Sequence, residues 1–353
     1  MNKNLLISKN LRYFMPDFRI KNITILSIMK KYLFFPVIFV LITVSLPKAY
    51  GQQDVQLSHN MFNILFYNPA YLGDHGQICM TGLARQQWLG LTETQSDGST
   101  YNIAPQTFLY MIDANINAIR GGIGAVVYKD KLGFEDNIGL KFGYAYRRGM
   151  GPGQFSAGLM AGFLNKTIDF GGFVPVDEAD PLLKGGMESD MVFDIAGGLF
   201  YKVPGQYYAG ISSSQLIQSE TSYTSPLASP KLKRHYYLTG GYQYTLPNDP
   251  SFELLPSILI KTDFVSAQYD INCLVMWNQQ FWGGLSYRVN DAFVILAGLN
   301  ITDSFRFGMS YDATTSSMGS SGRSHGTVEA FLNYCFEIKY TPPVSSYKNV
   351  RFL

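Results

Sequence analysis

The sequence has little charge and few histidines, and both scarcities exclude classes of protein. Only 15% of its 353 residues are charged, against about 25% in soluble proteins. The net charge of +2 provides no basic surface for nucleic acid. The four histidines are scattered along the chain: His59, His75, His235 and His325. We therefore predict neither a nucleic-acid partner nor a metal site.

Cysteine is also scarce, and the three residues match no metal-binding spacing. They are Cys79, Cys273 and Cys335. Each falls in a segment with the pattern of a β-strand, where a small apolar wall residue is the favoured interpretation. A single disulfide with one free thiol is the alternative.

Aromatic residues and glycine are abundant. Aromatics make up 15% of the chain, with 24 Tyr and 25 Phe, and there are 34 Gly. Many aromatics and glycines with few charges are typical of short strands that face lipid.

The start of the chain has the three parts of a secretory signal peptide. Met29-Lys30-Lys31 is positive, an apolar run extends from Tyr32 to Leu46, and Ala49-Tyr50-Gly51 supplies small residues for cleavage. We assign 1–51 to an N-terminal extension and signal peptide, with cleavage after Gly51. Met29 is then the expected true start, and an unusually long positive region before the apolar run is the alternative.

Beyond Gly73 nearly every segment alternates between apolar and polar or small residues. Side chains two positions apart share one face of a strand, so this period predicts β-strands. The predicted strands are 76–89, 103–115, 121–129, 137–147, 153–166, 192–202, 206–214, 234–246, 252–263, 267–277, 280–288, 292–299, 304–312 and 325–338.

Strand length, aromatic strand ends and loop lengths favour a membrane barrel over a soluble sandwich. Several strands are long enough to cross a bilayer at a tilt, tyrosines gather at strand ends, and short turns largely alternate with longer loops such as 91–102, 130–136 and 167–190. We predict an all-β fold, an antiparallel transmembrane β-barrel of about fourteen strands over 76–338. An even count places both termini in the periplasm, with an N-terminal strap at 52–75 and a C-terminal tail at 339–353.

Two groups of residues were considered for chemistry. Ser324-His325 is a candidate for hydrolysis, but it lies in a Gly/Ser-rich loop, and a hydrolase needs a third, orienting group. Carboxylates that cluster in one long loop match no calcium-binding spacing: Asp177, Glu178, Asp180, Glu188 and Asp190. We therefore predict no enzymatic activity, no catalytic residues and no cofactor.

Charged residues also occupy the inward positions of several strands. Four of them are basic and two are acidic: Lys141, Arg147, Arg288, Arg306, Asp270 and Glu329. They would line an open channel or form ion pairs in a plugged lumen, and the pattern leaves both possibilities open.

Short motifs occur in a fixed order along the mature chain. Gln56-Leu57-Ser58-His59-Asn60-Met61-Phe62 leads into Tyr67-Asn68-Pro69-Ala70-Tyr71-Leu72-Gly73, and Arg85-Gln86-Gln87-Trp88-Leu89-Gly90 follows. Later matches include Gly284-Leu285-Ser286-Tyr287-Arg288 and Tyr311-Asp312. Together they resemble the PorP/SprF family of Bacteroidetes outer-membrane proteins. The chain departs from that pattern at Ile64-Leu65-Phe66, where an Asn-Pro start is more usual.

The resemblance implies a role in the type IX secretion system and, in some members, in gliding motility. It implies an outer-membrane barrel that helps to secrete a partner protein, or to anchor it, at the cell surface. The implied partners are a secreted adhesin-like protein, encoded nearby, and the periplasmic ring proteins of the secretion machine.

The motif residues are the candidate partner-docking or plug residues: Tyr67, Asn68, Pro69, Ala70, Gly73, Arg85, Gln87 and Trp88. Asn68-Pro69 predicts an extended or turn conformation, since a residue that precedes proline avoids the helical region. Tyr67–Gly73 is then a plug or strap at the periplasmic mouth, or a docking strap for a partner. Trp88 is expected to be a membrane-interface anchor, and a cation–π pair of Arg85 and Trp88 near the rim is the alternative.

Three functions follow as hypotheses. The favoured one is a barrel that serves type IX secretion and surface attachment. A passive channel for small solutes is the alternative, and a membrane enzyme is the third.

Overall fold

The structure is a computed structural model that describes residues 54–94, 98–172, 186–223 and 230–337. All of them belong to the second of the two units into which the chain divides, Gly51–Leu353. The predicted signal peptide, its cleavage site, the tail 339–353 and most of the acidic loop lie outside the described residues.

The described residues form a barrel of fourteen antiparallel strands. They are β1 (Ile78–Gln86), β2 (Gln106–Ile116), β3 (Gly121–Leu132), β4 (Glu135–Met150), β5 (Gly153–Asp169), β6 (Met187–Val203), β7 (Tyr207–Ser214), β8 (His235–Tyr242, continued at Tyr244–Thr245), β9 (Phe252–Thr262), β10 (Ala267–Trp277), β11 (Phe281–Arg288), β12 (Ala292–Thr302), β13 (Phe305–Thr314) and β14 (Thr327–Phe336).

The strands close into a ring. Each pairs with its neighbour in sequence, and β1 pairs with β14 in the register Ile78↔Phe336 to Gln86↔Val328. Closure leaves no edge strand with unpaired backbone N–H and C=O groups. Such groups would find no water to hydrogen-bond in the bilayer. The predicted all-β antiparallel barrel is confirmed.

The alternation seen in the sequence separates an outer face from an inner one. Large apolar side chains on the outer face are exposed, including Leu159, Leu285 and Ile295. Inward neighbours such as Met160 and Val294 are buried. An eight-stranded barrel is filled by its own side chains, whereas sixteen strands leave a water channel. Fourteen strands therefore enclose a space that side chains alone do not fill.

Connections at the two ends of the barrel differ in length. One end, the turn end, carries the short connections that follow β2, β4, β6, β8, β10 and β12. The other, the loop end, carries long connections at 87–105, 170–186, 215–234 and 315–326. The loop predicted at 130–136 is wrong in extent, because β3 and β4 continue through it and leave only Gly133 and Phe134 between them. Both ends of that stretch pair across the hairpin, as in Leu132↔Glu135.

Helices are short and lie outside the strands. Among the described residues the α-helices are α1 (Ile64–Tyr67) and α2 (Ser317–Ser320), and 3-10 turns span Pro69–Tyr71, Asn117–Ile119 and Phe170–Gly172. A small hairpin, Thr92–Thr94 with Thr100–Asn102, lies at the loop end. None of the helices in the described ranges is long and apolar enough to cross a membrane.

Two cysteines form a disulfide across the seam of the ring. Cys79 on β1 lies directly opposite Cys335 on β14, and the two are bonded. Cys273 is free and exposed. The favoured interpretation of all three as small apolar wall residues is therefore wrong for Cys79 and Cys335, and the alternative of one disulfide with one free thiol holds. The pair escaped sequence reasoning because its members are 256 residues apart.

This disulfide predicts the thiol count of the denatured protein. Without reductant, a maleimide-polyethylene glycol reagent should modify one cysteine, Cys273, and after reduction it should modify all three. Cys273→Ser should leave no reactive thiol before reduction. Modification of three thiols in the unreduced protein would show that the seam is not covalently closed.

Candidate functional site

The N-terminal segment Asp54–Asp74, here called the strap, lies inside the ring. Asp54 accepts a hydrogen bond from Tyr237 Oη near the loop end of β8. Asp74 pairs with Lys202 at the turn end of β6, with 2.6 Å between Nζ and Oδ2. The strap thus runs the length of the lumen. Residues along it are less than 2% exposed: Leu57, Ser58, His59, Asn63, Asn68, Ala70 and Leu72.

The strap was expected at the periplasmic mouth of the barrel, and its position in the lumen differs from that expectation. A barrel of this size encloses a lumen that its own wall side chains do not fill. The strap, which carries apolar side chains, occupies that space. Its burial removes Leu57 and Leu72 from water.

Towards the loop end, the strap is held by a buried carboxylate. Glu329 on β14 accepts hydrogen bonds from the backbone N–H groups of Ser58 and His59, both at 2.8 Å. The His59 ring also lies against it, with 2.7 Å between Nδ1 and Oε1. A buried carboxylate is tolerated when its oxygens are fully bonded in this way.

Arg85 completes this cluster from β1. Its guanidinium donates to Ser58 Oγ at 2.7 Å and forms ion pairs with Glu329 at 3.0 Å and Asp312 at 2.9 Å. Ser58 Oγ also donates to Asp312 at 2.8 Å. One wall cation therefore joins two wall anions and the strap.

A second arginine extends the network around the wall. Arg288 pairs with Asp270 at 3.0 Å and with Asp312 at 3.1 Å, and it is 1% exposed. Lys141 pairs separately with Asp194 at 2.6 Å. Of the six inward-facing charged residues identified in the sequence, Lys141, Arg288, Asp270 and Glu329 therefore form ion pairs inside the ring, as one of the two possibilities left open requires.

Midway along the strap, aromatic rings fill the lumen. Phe62 packs on Trp282 with 4.7 Å between ring centroids, and His59 packs on Phe331 at the same distance. Arg306 lies over the Phe62 ring, 5.0 Å from its centroid. The inward-facing Arg306 is thus bound to the strap through a ring rather than through a carboxylate.

The turn-end half of the strap lies in a groove floored by glycine. A Cβ on Gly158 would overlap the Pro69 carbonyl, and one on Gly198 would overlap Oδ1 of Asn68. A Cβ on any of three more wall glycines would lie 2.2–3.0 Å from an atom of Leu72: Gly122, Gly124 and Gly143. The strap backbone can approach the wall this closely only where the wall has no side chain.

Asn68 fastens the strap within that groove. Its Oδ1 accepts from Ala70 N, and its Nδ2 donates to the Leu199 carbonyl, both at 3.0 Å. Its backbone is extended, with φ −131° and ψ 108°, as expected for a residue before proline. Pro69 then begins the 3-10 turn. The Asn-Pro-Ala motif is therefore a contact between strap and wall.

Charged wall residues hold the last strap residues. Arg147 donates to the carbonyls of Leu72 and Gly73, both at 2.6 Å. Asp113 accepts from Gly73 N at 2.8 Å. Below them, a vestibule of about 920 Å³ opens at the turn end, lined mainly by polar residues and floored by Met61 and Phe62.

The predicted site residues fall into two groups. Tyr67, Asn68, Pro69, Ala70 and Gly73 lie together in the strap, and Arg85 contacts the strap at Ser58, nearer the loop end. Gln87 and Trp88 lie apart, at the loop end. Their backbone N–H groups donate to Pro105 O at 2.8 Å and to Thr327 Oγ1 at 3.0 Å.

The alternative of a cation–π pair between Arg85 and Trp88 is wrong. Arg85 points inward and all its bonds go to the buried network. Cation–π contacts among the described residues are those of Lys141 with Tyr128 and of Arg306 with Phe62. Sequence reasoning also missed Ser58 and His59, whose only signal was their place in the motif before Tyr67.

The residues considered for hydrolysis have separate partners. Ser324 Oγ lies 3.1 Å from Thr314 Oγ1, and His325 Nδ1 lies 3.1 Å from the Leu89 carbonyl. Ser324 thus contacts the end of β13, and His325 contacts the connection that follows β1.

A family model described as the type IX secretion system membrane protein PorP/SprF matches residues 49–334. Among solved structures, the toluene transporter TbuX of Ralstonia pickettii is 11% identical with a TM-score of 0.48, over 78% of this chain and 93% of that one. The toluene transporter TodX of Pseudomonas putida is 11% identical with a TM-score of 0.45, over 81% of this chain and 95% of that one. Omp33 of Acinetobacter baumannii is 8% identical with a TM-score of 0.42, over 74% of this chain and 98% of that one. No curated protein matches the chain significantly.

Proposed function

The chain belongs to the PorP/SprF family of type IX secretion system membrane proteins, and on that basis we propose that it helps to secrete a partner protein, or to anchor it, at the cell surface. The partner is an adhesin-like protein of the kind that such a system exports, and gliding motility is one process it would serve. The periplasmic ring proteins of the secretion machine are the second class of partner.

The observation that carries this proposal beyond the family is the occupied lumen. The strap is bonded to the wall along its length, from the Glu329 cluster to Arg147. A barrel filled by its own N-terminal segment offers surfaces for partners rather than a path for solutes. This favours the secretion role over the alternative of a passive channel.

The unequal ends of the barrel support an orientation. In outer-membrane barrels short turns face the periplasm and long loops face outside. We infer that the turn end, with its vestibule of about 920 Å³, faces the periplasm. The vestibule is then the surface that a periplasmic partner would contact.

Gene deletion tests the proposed function. Without this chain, a neighbouring gene product with a secretion-directing C-terminal domain should be absent from the cell surface and should accumulate inside the cell. Re-expression of the chain should restore display, and an unrelated outer-membrane protein serves as the control for envelope integrity. Normal display in the deletion strain would refute the proposal.

The inferred orientation also makes a prediction about the strap. Asp54 lies near the loop end and Glu337 follows β14 at the turn end. An epitope inserted before Asp54 should therefore be detected on intact cells, and one inserted after Glu337 only after permeabilisation. This differs from the expectation that both termini are periplasmic. Detection of both epitopes only after permeabilisation would support that expectation instead.

A further inference from the structure

The vestibule at the turn end is lined by many amide side chains. Gln77, Asn278, Gln280, Asn300 and Asn333 are among them. An amide group both donates and accepts hydrogen bonds. The backbone of a peptide presents the same two kinds of group, whereas a phosphate group only accepts. The lining of the vestibule therefore suits an extended peptide segment better than a phosphate ion or headgroup.

Most of the charged side chains at the vestibule already have partners in the barrel. Lys202 forms its ion pair with Asp74 of the strap. Both carboxylate oxygens of Glu253 accept hydrogen bonds from glutamine side-chain amides, at 2.8 and 3.4 Å. Asp303 is exposed to water on the turn between β12 and β13. These groups therefore need no ligand to balance their charge.

Arg306 is half-buried at the vestibule and lacks a charged partner among the described residues. Its Nε donates to Asn300 Oδ1 at 2.8 Å, but it takes part in none of the ion pairs found in the described ranges. Its two Nη groups have no hydrogen-bond partner there either, and they are not sealed off from the vestibule. A guanidinium binds a carboxylate through two parallel hydrogen bonds. Arg306 therefore offers an open site for an acidic side chain.

A side pocket of about 130 Å³ adjoins the vestibule, with Met61, Phe62 and Leu255 in the lining of both. Leu274 supplies further apolar surface to the pocket. The Phe62 ring connects the pocket to Arg306, whose guanidinium lies 5.0 Å from the ring centroid. Side chains two positions apart on an extended chain lie on one face, about 6.6 Å from each other. An acidic and a large apolar side chain at that spacing can therefore occupy both places at once.

We propose that the vestibule binds an extended segment of a periplasmic protein, in which an acidic side chain pairs with Arg306 and a large apolar side chain two positions away enters the side pocket. The inference rests on the proposed function, because the orientation inferred there turns the vestibule towards the periplasm. The tail 339–353 follows β14 at the same end, but it contains no aspartate or glutamate and so supplies no acidic side chain. A separate protein is therefore the occupant that the charge of Arg306 selects.

Fluorescence anisotropy with labelled peptides tests the proposal on the full mature chain in lipid nanodiscs, where both ends of the barrel are accessible. The probe is an acetylated and amidated hexapeptide with Glu-Ser-Leu in a glycine–serine background, and the matched peptide carries Gln-Ser-Leu instead. Because a hydrogen bond between charged groups is stronger than one to a neutral group, the acidic peptide should bind at least about tenfold more tightly. Equal affinities, or no detectable binding, would overturn the proposal.

Variants of two arginines assign the acidic side chain to its site. In Arg306→Gln the two peptides should bind with equal affinity, because the charge that distinguishes them is gone. Arg148 is exposed near the turn end of β4 and does not line the vestibule, so Arg148→Gln is the matched control. This control should keep the preference for the acidic peptide. A preference that persists in Arg306→Gln would mean that the acid binds elsewhere, and the proposal would be wrong.

Photocrosslinking to the natural sequence needs no variant, and it decides the matter if Arg306→Gln does not yield a folded, heat-modifiable barrel. The leucine of the acidic peptide is replaced by photoleucine, and the adducts are mapped by mass spectrometry. We expect adducts on Met61, Phe62 and Leu255. Adducts confined to residues outside the vestibule and its side pocket would overturn the proposal.

Surface display in cells separates this inference from the proposed function. At equal levels of barrel in the outer membrane, a strain with Arg306→Gln should display less of the secreted partner than a strain with Arg148→Gln. Display that is lost in the deletion strain but normal in Arg306→Gln would refute the docking site and leave the secretion role standing. Loss of display in both strains would support the docking site.

Discussion

Replacing Gly198 with leucine is expected to expose the strap to protease. A Cβ at this position overlaps Asn68 Oδ1, and it would lie 2.9 Å from Ser212 Cβ, so the new side chain has no space to turn into. Overpacking a fixed interior costs about 1–3 kcal/mol or more. We expect the Asn-Pro-Ala contact to open and chymotrypsin to cut at Phe62, Phe66 and Tyr67, as mass spectrometry of the fragments would show.

Gly283→Leu provides the matched control. It adds the same side chain to a glycine on the lipid-facing side of β11, where a Cβ meets no atom closer than 3.5 Å. The control and the natural sequence should both keep the strap uncut. Equal protection of the strap in Gly198→Leu would show that the glycine groove does not hold it.

Arg85→Met should destabilise the barrel strongly. The arginine is the cation that joins Glu329 and Asp312 to Ser58, and it is 3% exposed. Removing one partner from a buried ion pair leaves an uncompensated charge and costs about 3–5 kcal/mol. The free energy of unfolding in urea, followed by tryptophan fluorescence in lipid vesicles, measures this loss.

An exposed ion pair supplies the comparison. Lys129 and Asp136 lie 2.9 Å apart with side chains 49% and 36% exposed. Lys129→Met should cost about 0–1 kcal/mol, since water and salt screen the pair. Similar losses for the two variants would mean that the Arg85 network contributes no more than a surface contact.

Most of the barrel could be predicted from the sequence because strand periodicity is local. Alternation at Phe155–Phe163 or Tyr269–Trp277 depends only on neighbours two positions apart, and the strands found there match the prediction. The predicted ends of the strands were less accurate. β6 begins at Met187 rather than 192, because Glu188 and Asp190 extend the strand beyond the apolar region that the pattern detects.

The lumen could not be predicted in the same way because its contacts are remote in sequence. Ser58 and Glu329 are 271 positions apart, and nothing local to either residue signals the other. Inward charges on the strands were recognised, but their partners were not. The abundance of glycine was attributed to the composition of lipid-facing strands. At Gly158 and Gly198, however, glycine is required because the strap crosses the wall there and leaves no room for a Cβ.

The family resemblance identified the strap in the sequence but did not predict that it lies inside the barrel. Tyr67–Gly73 was identified by its motif, and a plug was one of its two predicted roles. Its position depends on the size of the lumen, which is a property of the closed ring rather than of any segment. Asn68 contacts the wall at Leu199, 131 positions away.

Ion conductance of the purified protein in planar bilayers tests the central claim, that the strap closes the lumen, most directly. A barrel filled from Asp54 to Asp74 should be electrically silent over long recordings, and Gly198→Leu should produce openings that Gly283→Leu does not. A steady, open conductance from the natural sequence would contradict the account and would favour the passive channel instead.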